Sequence, residues 1–462
     1  MTDLRYRDAL AHLFGLRRFG MRPGLEVMRA LLADLGNPER SFAALHVTGS
    51  KGKGSVSALA ASALAASGTR VGLFTSPHLQ SYRERMRVDG ERIPVDAVVD
   101  GIATVQAATQ RLLRSGTIDR EPTFFEVTTA LAFDWFRSAK VPWAVIEVGL
   151  GGRLDSTNVV HAPVGVITTI ELEHTDILGP ALADIAREKA GILHPGMRAV
   201  LGDLPDEAAR VIDAHAREAG VPVWRLGEHL TIGPRTLAPH GQSFAVTTPA
   251  RTLANVHLPL LGGFQATNTA LAIGAVDAFL ARVGGKLTDP ALLRGLRATR
   301  WRGRLERVAR RPEVYFDVAH TPESARAVAI SLAEIAPFED PSENAIVFGC
   351  LEGKRADAIL DHLAPLATTV VLVPIRSDRS ASVTDLRRAA LGRFPRIVQA
   401  PSASDGLRLA RAATSPGGFT LAIGSDYLVG ELLNDIDGAP SDEPDLTDPL
   451  PRAASARGVA GG

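Results

Sequence analysis

Thr48-Gly49-Ser50-Lys51-Gly52-Lys53-Gly54-Ser55 follows a short apolar stretch, Leu45-His46-Val47, and leads into a helix-forming run that begins near Ser55. A glycine-rich turn at a helix N-terminus leaves backbone N–H groups free to surround phosphate oxygens. Gly49, Gly52 and Gly54 supply that turn, Lys53 adds a point charge, and the Ser55 hydroxyl suits a phosphate-bound Mg²⁺. These residue types point to a nucleotide-phosphate site, with a Gly/Lys surface turn as the plain alternative. The spacing is not that of a strict Walker A loop, because Gly54 stands between Lys53 and Ser55.

A second constellation is acidic. In Trp143-Ala144-Val145-Ile146-Glu147-Val148-Gly149 a carboxylate sits near the C-terminal end of an apolar strand, and a buried acid is costly unless it is paired or bound to a metal. Glu147 therefore reads as a Mg²⁺ ligand, the alternative being a carboxylate satisfied by an arginine or by backbone N–H groups. The next strand ends in Ile170-Glu171-Leu172-Glu173-His174, which places His174 beside acids at the edge where α/β sheets bind ligands. Thr75-Ser76-Pro77-His78-Leu79, followed by Arg83-Glu84-Arg85-Met86-Arg87, reads as a rigid turn with an arginine cluster. Such a loop suits an anionic substrate and offers the Ser76 hydroxyl to a metal; a basic surface loop is the alternative.

Together these segments resemble those of the folylpolyglutamate synthases and dihydrofolate synthases, ATP-dependent amide ligases of the Mur ligase superfamily. The phosphate loop is similar to their G-T-N-G-K-G-S, with Ser50-Lys51 in place of Thr-Asn. Glu147 to Asn158 is similar to E-V-G-x-G-G-R-x-D-x-T-N, and Ile185 to Ile192 to I-A-x-E-K-A-G-I. Glu173-His174 stands where Asp-His is usual, Ser76 to Leu79 matches S-P-H-L, and Thr123 to Glu126 matches T-x-F-E. Further along, Gly262 to Asn268 resembles G-x-H-Q-x-x-N with Phe264 for His, Trp301 to Glu306 resembles W-x-G-R-x-E, and Asp317 to Pro322 resembles D-x-A-H-N-P with Thr321 for Asn. Phe348 to Lys354 and Gly424 to Leu428 also look like family elements.

The resemblance implies ATP and two magnesium ions as cofactors, with Ser55, Ser76, Glu147 and His174 as metal ligands and a carbamylated Lys189 supporting them. Lys53, Glu147, His174 and Lys189 form the expected catalytic set. Asn268, Arg304, Asp317 and His320 are expected at the nucleotide; Ser76, Pro77, His78, Arg85 and Phe125 at the pterin-bearing substrate; Ser425 and Asp426 at the incoming glutamate. Taken alone, Asn268 also reads as a helix cap, Phe125 as core, Arg304 as an interdomain salt bridge and Lys189 as a solvated helix residue. The implied reaction passes the γ-phosphoryl group of ATP to a substrate carboxylate, and the amino group of L-glutamate then attacks the acyl phosphate. No covalent nucleophile is needed, and Cys350, on an apolar strand, is expected to be inert. The expected enzyme is a bifunctional dihydrofolate synthase/folylpolyglutamate synthase acting on dihydropteroate and folate. The alternatives are a monofunctional version, a Mur-type ligase of a peptidoglycan precursor, a P-loop kinase or ATPase, and a non-catalytic nucleotide-binding scaffold.

To position such residues the chain needs parallel strands joined by crossover helices. Buried-type strands are expected at Leu45 to Val47, Arg70 to Phe74, Trp143 to Val148, Val164 to Ile170 and Ala199 to Leu201, then hairpins between Leu230 and Pro259 and a helix from Ala266 to Val283. A second series runs through Val314 to Phe316, Ala345 to Phe348, Thr369 to Val373, Ile397-Val398 and Phe419 to Ile423. The expected fold is α/β. Residues 1–298 would form a P-loop-type Mur ligase ATPase domain with a mostly parallel sheet, 299–436 a smaller Rossmann-like glutamate ligase domain, and 437–462 a disordered tail. With 51 basic and 51 acidic residues in 462 there is no charge excess to draw nucleic acid or an anionic membrane. No stretch approaches the roughly 20 apolar residues of a membrane span. One cysteine rules out an internal disulfide framework, and the N-terminus lacks a secretory pattern. A cytoplasmic monomer with small-molecule substrates is expected.

Overall fold

Apolar runs buried on both faces form the parallel centre of the first sheet. The computed structural model, which describes residues 2–20, 22–238 and 240–438, orders its eight strands as Glu91–Arg92, Met86–Val88, Val71–Phe74, Trp143–Glu147, Ala43–Thr48, Val164–Ile167, Arg198–Leu201 and Val223–Arg225. Met86–Val88 pairs antiparallel with both of its neighbours, and all other pairs are parallel. Ala44, Val145, Ile146 and Val166 have no exposure, as a sheet covered by helices on both faces requires. Helices Lys53–Ala65, Gly263–Val283 and Asp289–Ala298 share a core with one face. Helices Thr2–Gly15, Glu26–Asp34, Val95–Arg114 and Phe124–Ser138 share a core with the other.

The segment expected to form hairpins makes an antiparallel sheet of Thr231–Ile232, Thr236–Ala238, Gly241–Thr247 and Thr252–Leu258, and its inward residues Phe244, Val246, Val256 and Leu258 join the core of the phosphate-loop helix. A third sheet is ordered Glu306–Arg310, Glu313–Asp317, Phe419–Ile423, Ala345–Phe348, Thr369–Leu372 and Arg396–Gln399, parallel except for the first strand. It has apolar clusters of its own on its two faces. The molecule is thus an α/β protein with a large, mostly parallel sheet and a separate C-terminal α/β sheet.

Several boundaries differ from the sequence reading, among them the helix expected from Ala266, which starts at Gly263. The phosphate-loop helix starts at Lys53 rather than near Ser55. The strand from Val164 stops at Ile167, because Thr168 and Thr169 turn to hold the phosphate loop: the Ser50 N–H donates to the Thr169 carbonyl at 2.8 Å, and the Thr168 hydroxyl to the Lys51 carbonyl at 2.5 Å. The tail expected from residue 437 lies outside the described residues from 439 onward, and Asp437 itself ends the helix Asp426–Asp437. Among the described residues no helix is long and apolar enough to cross a membrane.

Candidate active site

The C-terminal strand ends of both parallel sheets open on one cavity of about 610 Å³. The phosphate loop leaves Ala43–Thr48 and enters Lys53–Ala65 through Gly52 at φ 85°. First-turn N–H groups of a helix have no carbonyl to bond inside it, so they face the cavity as anion donors. Lys53 folds back over its own loop, its Nζ donating to the Gly49 carbonyl at 2.8 Å.

Glu147 pairs in register with Val47 on the neighbouring strand, which puts its carboxylate beside that loop. It is 4 % exposed; Oε2 accepts the Ser76 N–H at 3.0 Å, and a Cβ on Gly54 would lie 3.5 Å from the same oxygen. Gln265, from helix Gly263–Val283, donates to the Ser55 hydroxyl at 3.3 Å and accepts from Asn268 at 3.0 Å. Phe125 packs on bare backbone: a Cβ on Gly149 would meet its ring at 2.5 Å.

Glu173 is a mostly covered anion between cations. It accepts from Lys51 Nζ at 3.2 Å and Lys189 Nζ at 3.4 Å. Burial alone would raise its pKa, but Lys189, Lys51 and Lys53 outweigh burial and hold it well below the usual carboxylate range. Lys189 is 1 % exposed, so it is not a solvated helix residue; burial pushes its pKa down to about 8 against the pull of Glu173. His174 has left-handed backbone, φ 49°, and caps the short helix Thr175–Leu178. Burial lowers its pKa to about 4, although Glu173 opposes this, so the ring is neutral, the form that ligates metals.

The C-terminal domain supplies the rest of the lining. Asp317 accepts the N–H of Leu305 on one oxygen and of Ala319 on the other, both at 2.7 Å; burial raises its pKa to about 6, with Arg304 pulling it back. His320 donates Nδ1–H to the Val318 carbonyl at 3.0 Å and is held neutral by burial and then by Lys354. Ser425 caps the helix Asp426–Asp437, accepting the Tyr427 N–H at 3.1 Å.

Gly52, Lys53, Gly54, Ser55, Ser76, Pro77, Phe125, Glu147, His174, Asn268, Arg304, Asp317, His320, Ser425 and Asp426 all line this cavity. Gly49, His78, Arg85 and Lys189 do not. Arg85 is fully buried: its Nε donates to His78 Nδ1 at 2.8 Å and its guanidinium lies 5.2 Å from the centre of the Phe124 ring. Arg22, Pro23, Arg153, Asp155, Glu173, Lys354 and Arg379 also line the cavity without having been singled out for it. Asp155 and Arg153 lie inside a run already read as a signature, and Lys354 ends another; Arg22 and Arg379 lie in irregular segments with no motif.

Residues 47–276 match the Mur ligase middle domain, and residues 303–426 the Mur ligase glutamate ligase domain. The chain is 34% identical over 372 residues to the folylpolyglutamate synthase of Lacticaseibacillus casei, covering 80% of this chain and 86% of that one. The chain belongs to the folylpolyglutamate synthase and dihydrofolate synthase family. It is also 35% identical over 392 residues to the dihydrofolate synthase/folylpolyglutamate synthase of Bacillus subtilis, covering 83% and 89%. A crystal structure of Mycobacterium tuberculosis folylpolyglutamate synthase with ADP and AMPPCP superposes with a TM-score of 0.85 at 33% identity, covering 94% of this chain and all of that one. Members of the family are ATP-dependent Mur-type ligases, and so is this chain. Three of its departures from the family's motifs have local roles. Ser50 accepts the Glu171 N–H at 2.9 Å, Lys51 pairs with Glu173, and Thr321 caps the helix Pro322–Ile335.

Proposed function

We propose that the chain is a bifunctional dihydrofolate synthase/folylpolyglutamate synthase, joining L-glutamate first to dihydropteroate and then to reduced folate. The observation that carries this reading is one cavity that combines a phosphate loop, Glu147 and Phe125 on one wall with Arg304, Asp317, His320 and Ser425 on the other. ATP lies with its phosphates on the first-turn N–H groups and Lys53, its base toward Asn268 and its ribose at Asp317, whose ionised form accepts from hydroxyls. His320 is neutral with Nδ1 as donor; an arriving phosphate favours protonation of Nε2, which then donates to it. The flat pterin of the acid substrate stacks on Phe125 beside Gly149, while Ser425 and Asp426 hold the incoming glutamate.

A carboxylate oxygen of the acid attacks the γ-phosphorus and ADP leaves. The glutamate nitrogen then attacks the acyl carbon, phosphate departs and the amine proton is released. The chain's task is to align three reactants and offset charge, with Lys53 and Arg304 contributed by the two domains, and to keep water from the acyl phosphate. The donors suit magnesium: a buried carboxylate facing Gly54 and the Ser55 hydroxyl are hard oxygens next to a phosphate site, a set that Mg²⁺ accepts while retaining water. Ser55 and Glu147 would hold one ion, and Ser76 and His174 a second; such ions neutralise charge on a transferring phosphoryl group. Lys189, with part of its amine neutral near pH 7, is able to take up CO₂ as a carbamate. The enzyme works as a monomer in the cytoplasm, a compartment that suits a single buried thiol.

Mass spectrometry tests the proposal. Reactions containing ATP, Mg²⁺ and L-glutamate with dihydropteroate, and separately with a reduced folate monoglutamate, should each gain one or more glutamate residues. Lys53→Ala should slow both by about a hundredfold or more. Gain on one substrate alone makes the enzyme monofunctional, and ADP release without gain on either sinks the folate reading.

A further inference from the structure

The turn that carries Ser76 is held by the first sheet's domain through its backbone and by the other domain through its side chains. On the first side, the Ser76 N–H donates to Glu147, and the N–H groups of Leu79, Gln80 and Ser81 donate to the buried Glu84 carboxylate at 3.0, 3.3 and 3.2 Å. On the second side, Leu79 is buried in the apolar cluster that contains Val314, Phe316, Val318 and Val429. Gln80, 4 % exposed, donates Nε2–H to Asn434 Oδ1 at 3.2 Å and to Asp437 Oδ2 at 3.0 Å. Arg302, in the segment joining the two domains, donates to the same Asp437 oxygen at 3.0 Å. Three segments far apart in sequence therefore meet on one carboxylate oxygen at the end of the last helix.

We propose that Gln80 and Asp437 form a latch through which the position of the C-terminal domain sets the placement of Ser76 against Glu147. Its catalytic consequence rests on the ligase reading above, with Gln80 as a positioning residue. Breaking the Gln80 bonds leaves a buried amide without partners, a cost that the turn avoids only by moving with the last helix. Other contacts between the domains, the Gly263 N–H on the Ser331 hydroxyl at 3.2 Å and the Arg235–Glu334 ion pair, join other edges.

Hydrogen exchange on the full chain decides the latch without turnover. Asp437→Ala, a change in the second domain, should speed exchange of the amides of residues 76–81 in the first by about fivefold or more, locally. Gln80→Glu, which sets carboxylate against carboxylate in the same shape, should do likewise, and Gln80→Ala combined with Asp437→Ala should add little to either alone. Arg235→Ala should leave those amides at the wild-type rate. In the mass-spectrometric assay the latch variants should release at least about twice as much ADP per amide formed, because a poorly closed site admits water. Unchanged exchange at residues 76–81, or acceleration spread evenly over the chain, overturns the latch. Wild-type protein that forms no amide counts against the ligase reading alone.

Discussion

Thr157 has a single hydroxyl proton, and Asp155 takes it: Oδ1 lies 2.5 Å from the hydroxyl and also accepts the Thr157 N–H, while Oδ2 accepts from Leu150. His46 Nε2, 2.9 Å from the same hydroxyl, is then the donor of that contact. Burial, and after it the nearby His194, pushes the His46 pKa from 6.5 down to about 3. Since the folded value is the lower one, the unfolded chain takes the proton first. Stability from this group is complete above about pH 6.5 and is lost as pH falls toward about 3, at roughly 1.4 kcal/mol per pH unit. His46→Gln keeps an N–H donor and removes the titration. Urea unfolding between pH 7 and pH 4 should therefore lose stability less steeply in the variant, and an equally steep acid loss would assign it to other groups.

The phosphate loop shows why single elements read well from sequence. Its strand, turn and helix are contiguous, and each glycine answers a local demand. Gly49 has φ 146°, and a Cβ there would fall 1.9 Å from the Thr168 hydroxyl, the group that holds the Lys51 carbonyl. Gly49→Ala should cost about 2–3 kcal/mol or more through backbone strain and this clash, read as a lower urea midpoint with nucleotide binding weakened in parallel. A variant with wild-type stability would mean that the turn relaxes freely. Less was legible where a role depends on contacts between distant elements. Arg85 is expected at the substrate as part of an arginine cluster, yet it is buried outside the cavity, in a site made by His78 and by Phe124 on a later helix. Lys189 looked solvated on its own helix, and it is buried because Glu173 arrives from another strand end. Gln80 carried no signal at all, since its partners lie at the far end of the chain.

At the scale of the whole molecule, two sheets with separate apolar clusters share a cavity whose glycine-rich loop and Lys53 belong to one and whose Arg304, Asp317 and His320 belong to the other. A nucleotide bound there stabilises both sides at once, because unfolding either removes part of its site. With a non-hydrolysable ATP analogue and Mg²⁺ at about a hundred times the dissociation constant, the gain should be about 2.7 kcal/mol, seen as a rise of a few degrees in the melting temperature. Lys53→Ala should abolish the rise, and a chelator should shrink it by removing the metal's share. Arg304→Ala is the discriminating case: its side chain comes from the domain that does not carry the phosphate loop, so a diminished shift there means that the nucleotide engages both domains before any acid substrate arrives. A full shift in Arg304→Ala, with none in Lys53→Ala, would place the nucleotide on the first domain alone and make closure of the second a later step, driven by the acid or the glutamate.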